Sequence, residues 1–253
     1  MTKRFFGDTA LLTGRSLRHI MRSPDTIITT TIMPIAFMLL FVYVFGGAIN
    51  TGSDPYVNYL LPGILLITIA ASISYTAFRL FTDMQSGIFE RFQSMPIARS
   101  SVLWAHVLTS LVASLISVVV VVLVALLMGF RSGAGALAWL AVAGILILFT
   151  VASTWLAVIA GLSAKTVDGA SAFSYPIIFL PFISSAFVLT ATMPGPVRAF
   201  AENQPVTSIV NTIRDLYTQQ PVSTDIWSAL AWCVSLLIVA YAFAMAIYHR
   251  VIR

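Results

Sequence analysis

The stretch VLWAHVLTSLVASLISVVVVVLVALLMG, residues 102–129, contains no Asp, Glu, Lys or Arg and is almost continuously apolar. A helix needs about 20 apolar residues to cross the roughly 30 Å hydrocarbon core of a bilayer. This run therefore predicts a transmembrane helix. Its extra length predicts that the helix is tilted or projects from the membrane.

The composition extends this prediction to the whole chain. Of the 253 residues, 59% are hydrophobic and 9% are charged, whereas a soluble domain carries about 25% charged residues. So few charges cannot cover a soluble surface, and no soluble domain fits between the apolar runs. We therefore predict one membrane domain over residues 1–253. The single cysteine, Cys233, excludes a disulfide within the chain and a cysteine-based zinc site.

Six stretches are long and apolar enough to span a bilayer. We predict spans at residues 27–49, 59–81, 102–129, 137–162, 170–190 and 226–248. The predicted fold class is an all-α membrane protein with six transmembrane helices. Pro176 and Pro181 should kink the fifth span, and Pro34 should bend the first.

The distribution of Lys and Arg predicts the orientation. With the N-terminus in the cytoplasm, eleven of the 14 basic residues are cytoplasmic: Lys3, Arg4, Arg15, Arg18, Arg22, Arg79, Arg91, Arg99, Lys165, Arg250 and Arg253. The outer side then holds Arg131, Arg198 and Arg214. This bias follows the positive-inside rule and places both termini in the cytoplasm. It also explains the net charge of +5 without a nucleic-acid partner.

Two segments outside the spans have helical apolar spacing. Phe5–Arg22 has a basic side opposite an apolar side that includes Phe6, Ala10 and Leu17, which predicts an amphipathic helix in the cytoplasmic interface. After Pro205 an apolar stripe includes Val206, Ile209 and Ile213. That helix is too short to cross, so we predict an outer re-entrant or interfacial helix before span six. It either lines an exit or caps the bundle.

The cytoplasmic connection between spans two and three, residues 83–101, is unusually apolar. Its apolar residues are Met84, Ile88, Phe89, Phe92 and Met95. Glu90 and Arg91 lie among them, and Pro96 ends the predicted helix. Such residues in a short loop indicate docking, either on another protein or on this chain's own bundle or the lipid surface.

The sequence offers no catalytic residues. No carboxylate lies well inside a span, which argues against proton coupling and intramembrane proteolysis. Gly161–Thr166 resembles the end of a phosphate loop, but Ile159 and Ala164 stand where glycines are required. We therefore expect no enzyme activity, no metal site and no cofactor in this chain, and any ATP must be bound elsewhere.

Aromatic residues recur along the first and fifth predicted spans. The residues that we assign to a possible substrate path are Phe37, Phe41, Phe45, Phe179 and Phe182. The path would suit an amphipathic or lipophilic substrate. Contact with lipid or packing between helices is the alternative for each of them.

Two motifs carry a resemblance to a known family. Residues 89–99, FERFQSMPIAR, are similar to the E-R-x-x-x-x-P-[IV]-x-R pattern that follows span two in type-2 ABC transporter permeases of the daunorubicin-resistance-like drug efflux family. Residues 203–207, NQPVT, followed by Ile213–Leu216, resemble that family's N-P-x-T and R-x-L patterns before span six. Gln204 interrupts the usual Asn-Pro pair. The likeness covers nearly the whole chain.

The resemblance implies a permease that pairs with a second copy or a close paralogue. It implies two copies of a separate cytoplasmic ABC ATPase, which binds ATP and Mg. The residues that would form the coupling helix are Ile88, Phe89, Glu90, Arg91, Phe92 and Met95. Val206, Ile209 and Ile213 would belong to an outer gate, and Phe5–Arg22 would be the connecting helix near the ATPase.

The resemblance further implies an exporter of hydrophobic drugs or antibiotics in the cell membrane of a prokaryote, working by alternating access. Three alternatives remain open from the sequence. One is an ABC exporter of a lipid or glycan carrier. Another is a secondary transporter or channel that works alone, and the third is an intramembrane enzyme or assembly scaffold.

Overall fold

The computed structural model describes residues 2–22, 25–47, 55–87, 99–220 and 224–251, and within them the chain is helical. The α-helices are α1 (Thr2–Arg22), α2 (Asp25–Leu39), α3 (Tyr56–Gln85), α4 (Arg99–Leu127), α5 (Ala136–Ser163), α6 (Val167–Ala172), α7 (Ser174–Phe179), α8 (Gly195–Asn203), α9 (Pro205–Thr218) and α10 (Asp225–Val251). A π-helical segment, Leu40–Phe45, prolongs α2, and 3-10 turns occur at Leu180–Ile183 and Thr190–Thr192.

Four helices in the described ranges are long and apolar enough to cross a membrane. They are Tyr56–Gln85, Ser101–Leu127, Ala136–Ser163 and Asp225–Arg250. A helix satisfies its backbone hydrogen bonds internally, which is the requirement for a segment surrounded by lipid. These four helices coincide with the predicted spans 59–81, 102–129, 137–162 and 226–248.

The other two predicted spans have a different form. The first corresponds to a shorter apolar helix, Thr30–Phe45, and the fifth falls in the apolar segment Val167–Ile183. We expected one kinked helix over 170–190, but α6, α7 and a 3-10 turn follow one another there. Pro176 and Pro181 explain the interruption, because proline lacks an N–H and its ring clashes with the preceding turn.

Helix α3 is the centre of the bundle. It packs against α2, α4, α5, α6 and α7, whereas α10 packs along α5 and α9. In the most apolar part of α3, 83% of the residues are buried inside the chain, against 17% in α10. The outward surface of α10 is therefore available to lipid.

Two glycines allow close contacts of α3. A Cβ at Gly63 of α3 would lie 2.6 Å from the Cβ of Ala186. A Cβ at Gly161 of α5 would lie 3.0 Å from the carbonyl oxygen of Ala77. Small residues at such contacts let backbones approach and are typical of helix packing in membranes.

Helix α1 forms where an amphipathic helix was predicted, and it packs against α4. Arg15 and Arg18 are exposed, as expected for its polar side. Ala10, which we assigned to the apolar side, is also exposed, whereas Thr9 is buried. Packing on α4 thus uses a face that is rotated from the predicted stripe.

Helix α9 lies at the end of the bundle where α3 begins. There it contacts the first turn of α3 and the α4–α5 connection, residues 128–135. Gly129, with φ of 98°, lets the chain turn away from the end of α4. We call this end of the bundle, where α9 docks, the α9 end.

Candidate functional site: an aromatic cluster and the α9 end

A continuous cluster of phenylalanine rings joins α2 and its π-helical extension to residues 179–187. Its members are Phe37, Phe41, Phe45, Phe179, Phe182 and Phe187. The ring of Phe187 stacks on Phe41 at a centroid distance of 4.7 Å and on Phe182 at 5.0 Å. Phe37 meets Phe182 edge-on at 5.5 Å. Each such pair adds about 0.5–1.5 kcal/mol beyond simple burial.

The cluster extends from the interior to the surface of the chain. Phe187 is 2% exposed, whereas Phe45 and Phe179, at the margins, are 43% and 61% exposed. Phe45 lies 5.5 Å from Phe41, and Phe179 lies 6.2 Å from Phe182. Exposed ring faces continuous with a buried stack can accept a flat apolar molecule by extending the stack.

The structure brings together all five residues that we assigned to the substrate path. Their role in transport stays a prediction. Phe187 also belongs to the cluster, although it was not assigned to the path. Its backbone carbonyl accepts a hydrogen bond from the Tyr56 hydroxyl at 3.0 Å, a contact between distant residues that sequence spacing does not indicate.

The π-helical segment carries Phe41 and Phe45. A π-helical turn holds one more residue than an α-helical turn and shifts the side chains that follow it. Such turns are frequent at functional sites. Here the segment supplies one side of the aromatic cluster.

Helix α9 is anchored by buried apolar side chains. Val206, Ile209 and Ile213, the predicted outer-gate residues, are at most 1% exposed and lie in the same apolar core as Leu60 and Ile64 of α3. Their assignment to a gate stays a prediction. The structure places them between α9 and the rest of the chain.

Gln204 ties the start of α9 to the turn after α7. Its side-chain amide donates to the carbonyl of Leu180 at 3.2 Å and to the carbonyl of Ile183. Gln204 is 4% exposed, so these bonds are buried. The residue that interrupts the Asn-Pro pair therefore fastens α9 to the interrupted fifth segment.

Pro62 leaves a backbone acceptor near the start of α3 that α9 can use. Because proline has no N–H, the carbonyl of Asn58, four residues earlier, has no helical donor. The Tyr217 hydroxyl donates to that carbonyl. Burial raises the pKa of Tyr217, so its hydroxyl stays protonated and remains a donor. The Asn58 side chain in turn pairs with the Arg131 backbone at 3.2 and 3.3 Å.

Arg214 of α9 contacts two other parts of the chain and one residue of its own helix. Its guanidinium donates to the carbonyl of Tyr59 at 3.0 Å and to the carbonyl of Ser185 at 2.8 Å. It also lies 3.9 Å from the centre of the Tyr59 ring, a cation–π contact. A third bond, at 3.3 Å, goes to the side chain of Asn211.

Asn211 strengthens the contact with Ser185 and extends this network to α10. Its side-chain oxygen accepts from the Ser185 hydroxyl at 2.6 Å, and its amide donates to a carboxylate oxygen of Asp225 at 3.0 Å. Polar groups of α3, α9, α10 and residues 184–187 thus meet at one place. The resemblance pointed to Arg214 and Leu216, but the partners of Arg214 could not be read from the motif.

The aromatic cluster and the α9 end both lie within a region that matches a known protein family. The family described as ABC-2 type transporter matches residues 8–218. This chain belongs to the ABC-2 type transporter family. Membrane subunits of this family are generally not ATPases.

Two named relatives extend over nearly the whole ABC-2 chain. This chain is 27% identical over 249 residues to the daunorubicin resistance ABC transporter permease protein DrrB1 of Streptomyces coeruleorubidus. The match covers 95% of this chain and 88% of that protein. It is 25% identical over 250 residues to the "Probable doxorubicin resistance ABC transporter permease protein DrrC" of Mycobacterium tuberculosis H37Rv, covering 97% and 89%. Together with the apolar helices, these relatives make the chain an integral membrane protein.

The residues that we predicted to form a coupling helix, Ile88–Met95, lie outside the described part of the structure. The helices that flank them are described, and a cross-helix pair joins them. Nε2 of His106 in α4 lies 3.4 Å from a carboxylate oxygen of Asp83 in α3. This pair links the end of α3 to the start of α4.

The described part of the ABC-2 chain contains no group of three His, Cys, Asp or Glu residues that could hold a metal ion. Its buried polar groups between spans are mainly hydroxyls. Thr76 donates to Ser110 at 2.7 Å, and Ser110 lies 3.5 Å from Thr154. Such hydroxyls join helices through hydrogen bonds in membranes.

Proposed function

We propose that this chain is the membrane-spanning permease subunit of an ATP-driven exporter that moves hydrophobic drugs or antibiotics out of the cell. Membership of the ABC-2 family and relatives named for daunorubicin and doxorubicin resistance support the proposal. The observation that carries the substrate class is the aromatic cluster, whose stacked rings suit a flat, lipophilic molecule.

The proposed topology has six spans within a single domain over residues 1–253. The segments 27–49 and 170–190 act as the first and fifth spans, with both termini in the cytoplasm of a prokaryotic cell and the chain in the inner membrane. The distribution of Lys and Arg supports this orientation. It places the α9 end outside and residues 88–98 inside.

The energy source is a separate ABC ATPase that binds ATP and Mg, in two copies beneath a pair of permeases. The second permease is another copy of this chain or a close paralogue. Ile88–Met95 forms the coupling helix, in which Phe89 and Phe92 are the buried anchors and Glu90 and Arg91 set the register. Closure of the ATPase moves this helix and biases the permease between inward and outward states.

The proposed path runs along Phe37, Phe41, Phe45, Phe179 and Phe182. Substrate enters between exposed rings of the cluster and leaves past the α9 end. Val206, Ile209 and Ile213 keep the outer part of the chain packed, so that it opens only when the two permeases rearrange. Alternating access in this form needs no titratable group within the spans.

The direct test is transport into inverted membrane vesicles that contain this chain and an ATPase encoded beside it. Daunorubicin accumulation, followed by its own fluorescence, should require ATP and should persist when a protonophore removes the proton gradient. Vesicles that carry an ATPase variant unable to hydrolyse ATP are the control. Transport that follows the proton gradient and ignores ATP depletion would instead indicate a secondary transporter.

A further inference from the structure

We infer that Arg214 is a positioning residue for the aromatic path, acting through Ser185 and Phe187. The inference rests on the proposed function, because it concerns the path of the exported molecule. Arg214 itself lies outside the cluster. It contacts the segment that carries the central ring.

Arg214 is connected to Phe187 through the backbone of Ser185. Arg214 donates to the carbonyl of Ser185 at 2.8 Å, two residues before Phe187. The carbonyl of Phe187 is held by the Tyr56 hydroxyl at 3.0 Å. Bonds on both sides of Ala186 therefore fix the segment from which the Phe187 ring projects.

This segment, residues 184–189, lies outside the helices, between the 3-10 turns Leu180–Ile183 and Thr190–Thr192. Its local bonds run through the Ser184 hydroxyl, which donates to the Pro181 carbonyl at 2.6 Å and accepts from the Ala186 N–H at 3.0 Å. Tertiary contacts hold it on two further sides. One side is set by the close approach of Ala186 to Gly63 of α3. The other is set by α9 through Arg214 and through the Ser185–Asn211 bond at 2.6 Å.

Arginine suits this place because its planar group bonds in several directions. Nη2 donates to the carbonyls of Tyr59 and Ser185, Nη1 donates to the Asn211 side chain, and the guanidinium lies over the Tyr59 ring. A lysine keeps the charge, but its single nitrogen cannot make all of these contacts. If only the positive charge mattered, lysine would replace Arg214 without loss.

Phe187 lies at the centre of the aromatic cluster. Its ring stacks on both Phe41 and Phe182, at interplanar angles of 28° and 13°. A shift of the 184–187 segment would break both stacks. Arg214 therefore controls the geometry of the path from the α9 end, without touching the substrate.

The test compares daunorubicin transport by the complete complex carrying Arg214→Gln, Arg214→Lys or Arg198→Gln. Arg198 is the matched control, since it is an exposed arginine of α8 whose pairing with Glu202 is local. We expect Arg214→Gln and Arg214→Lys to raise the KM by about tenfold, equivalent to about 1.4 kcal/mol, with basal ATP hydrolysis unchanged. Arg198→Gln should transport like the wild type.

A double-mutant cycle separates positioning from general loss of structure. In a Phe187→Leu background, Arg214→Gln should raise the KM no further, because its effect acts through the lost ring. Additive effects, or a wild-type KM for Arg214→Gln, would overturn the inference. If Arg214→Gln fails to assemble, Tyr59→Leu removes the cation–π contact together with the stacking of Tyr59 on Tyr56. It should raise the KM in the same direction, whereas Tyr175→Leu at an exposed site should not.

Amide hydrogen exchange tests the role of Arg214 in a measurement that does not depend on transport. Arg214→Gln should accelerate exchange in residues 184–190 relative to the wild type, and Arg198→Gln should not. Unchanged exchange there would overturn the inference. A wild-type complex that exports no daunorubicin with ATP would count against the proposed function, while the exchange result would still decide the role of Arg214.

Discussion

The Tyr217 hydroxyl donates to the carbonyl of Asn58, an acceptor that is free because Pro62 stands four residues further along α3. A proline within a helix usually leaves a polar group that must find another partner. In this chain the partner comes from α9, a helix distant in sequence. The carbonyl that Pro62 leaves free in α3 is therefore the group on which α9 docks.

This relationship predicts the effect of Tyr217→Phe. The ring and its packing remain, but the buried carbonyl of Asn58 loses its donor, which should lower the free energy of unfolding by about 1–3 kcal/mol. The thermal midpoint of the purified protein in detergent should fall accordingly. Tyr175→Phe is the control because Tyr175 is exposed, and equal midpoints for the two variants would contradict the assigned bond.

Gly63 predicts a second stability effect. The Cβ of Gly63→Ala would lie 2.6 Å from the Cβ of Ala186 and 3.4 Å from the Phe187 ring, so the 184–187 segment must move. Overpacking of this kind costs about 1–3 kcal/mol. Gly144→Ala is the matched control, since an added Cβ there meets nothing within 4 Å. A Gly63→Ala protein as stable as Gly144→Ala would show that the close approach is not required.

The aromatic cluster predicts a change in transport. Phe182 contacts Phe37, Phe41, Phe179 and Phe187, so Phe182→Ala removes the ring with the most partners in the cluster. We expect a KM for daunorubicin that is several-fold higher, with ATP hydrolysis retained. Phe243→Ala, at a 61% exposed position on α10, is the control. A result in which both variants transport like the wild type would assign the cluster to packing alone.

The sequence predicted the parts of the fold that depend on local hydrophobicity. Helices α3, α4, α5 and α10 follow from uninterrupted apolar runs, because only a helix satisfies the backbone of such a run in lipid. The helix after Pro205 followed from its apolar stripe and its proline at the first position. These properties belong to single segments and need no tertiary information.

The sequence could not predict features that arise between segments. Pro176 and Pro181 indicated a kink, but not the separation into α6, α7 and a 3-10 turn, which also depends on the contact of Gln204 with Leu180 and Ile183. The spacing of Phe37 and Phe41 placed them on one face of a helix. Their meeting with Phe182 and Phe187 depends on how α2 packs.

The partners of Arg214 were likewise hidden from sequence analysis. Two of them are backbone carbonyls, which every residue has, so no residue type in the sequence marks them. The motif drew attention to Arg214 through resemblance alone. Residues 88–98 remain a prediction from sequence and family, because they lie outside the described ranges.

The account depends most on residues 88–98 as the place where the ATPase acts. The decisive measurement is co-purification of the ATPase with tagged permease, made with the Phe89→Ala, Phe92→Ala double variant and with Phe200→Ala, an exposed phenylalanine of α8, as the control. We predict that wild-type chain and Phe200→Ala retain the ATPase, whereas the double variant loses it or hydrolyses ATP without transport. A double variant that keeps the ATPase and exports daunorubicin at the wild-type rate would contradict the account.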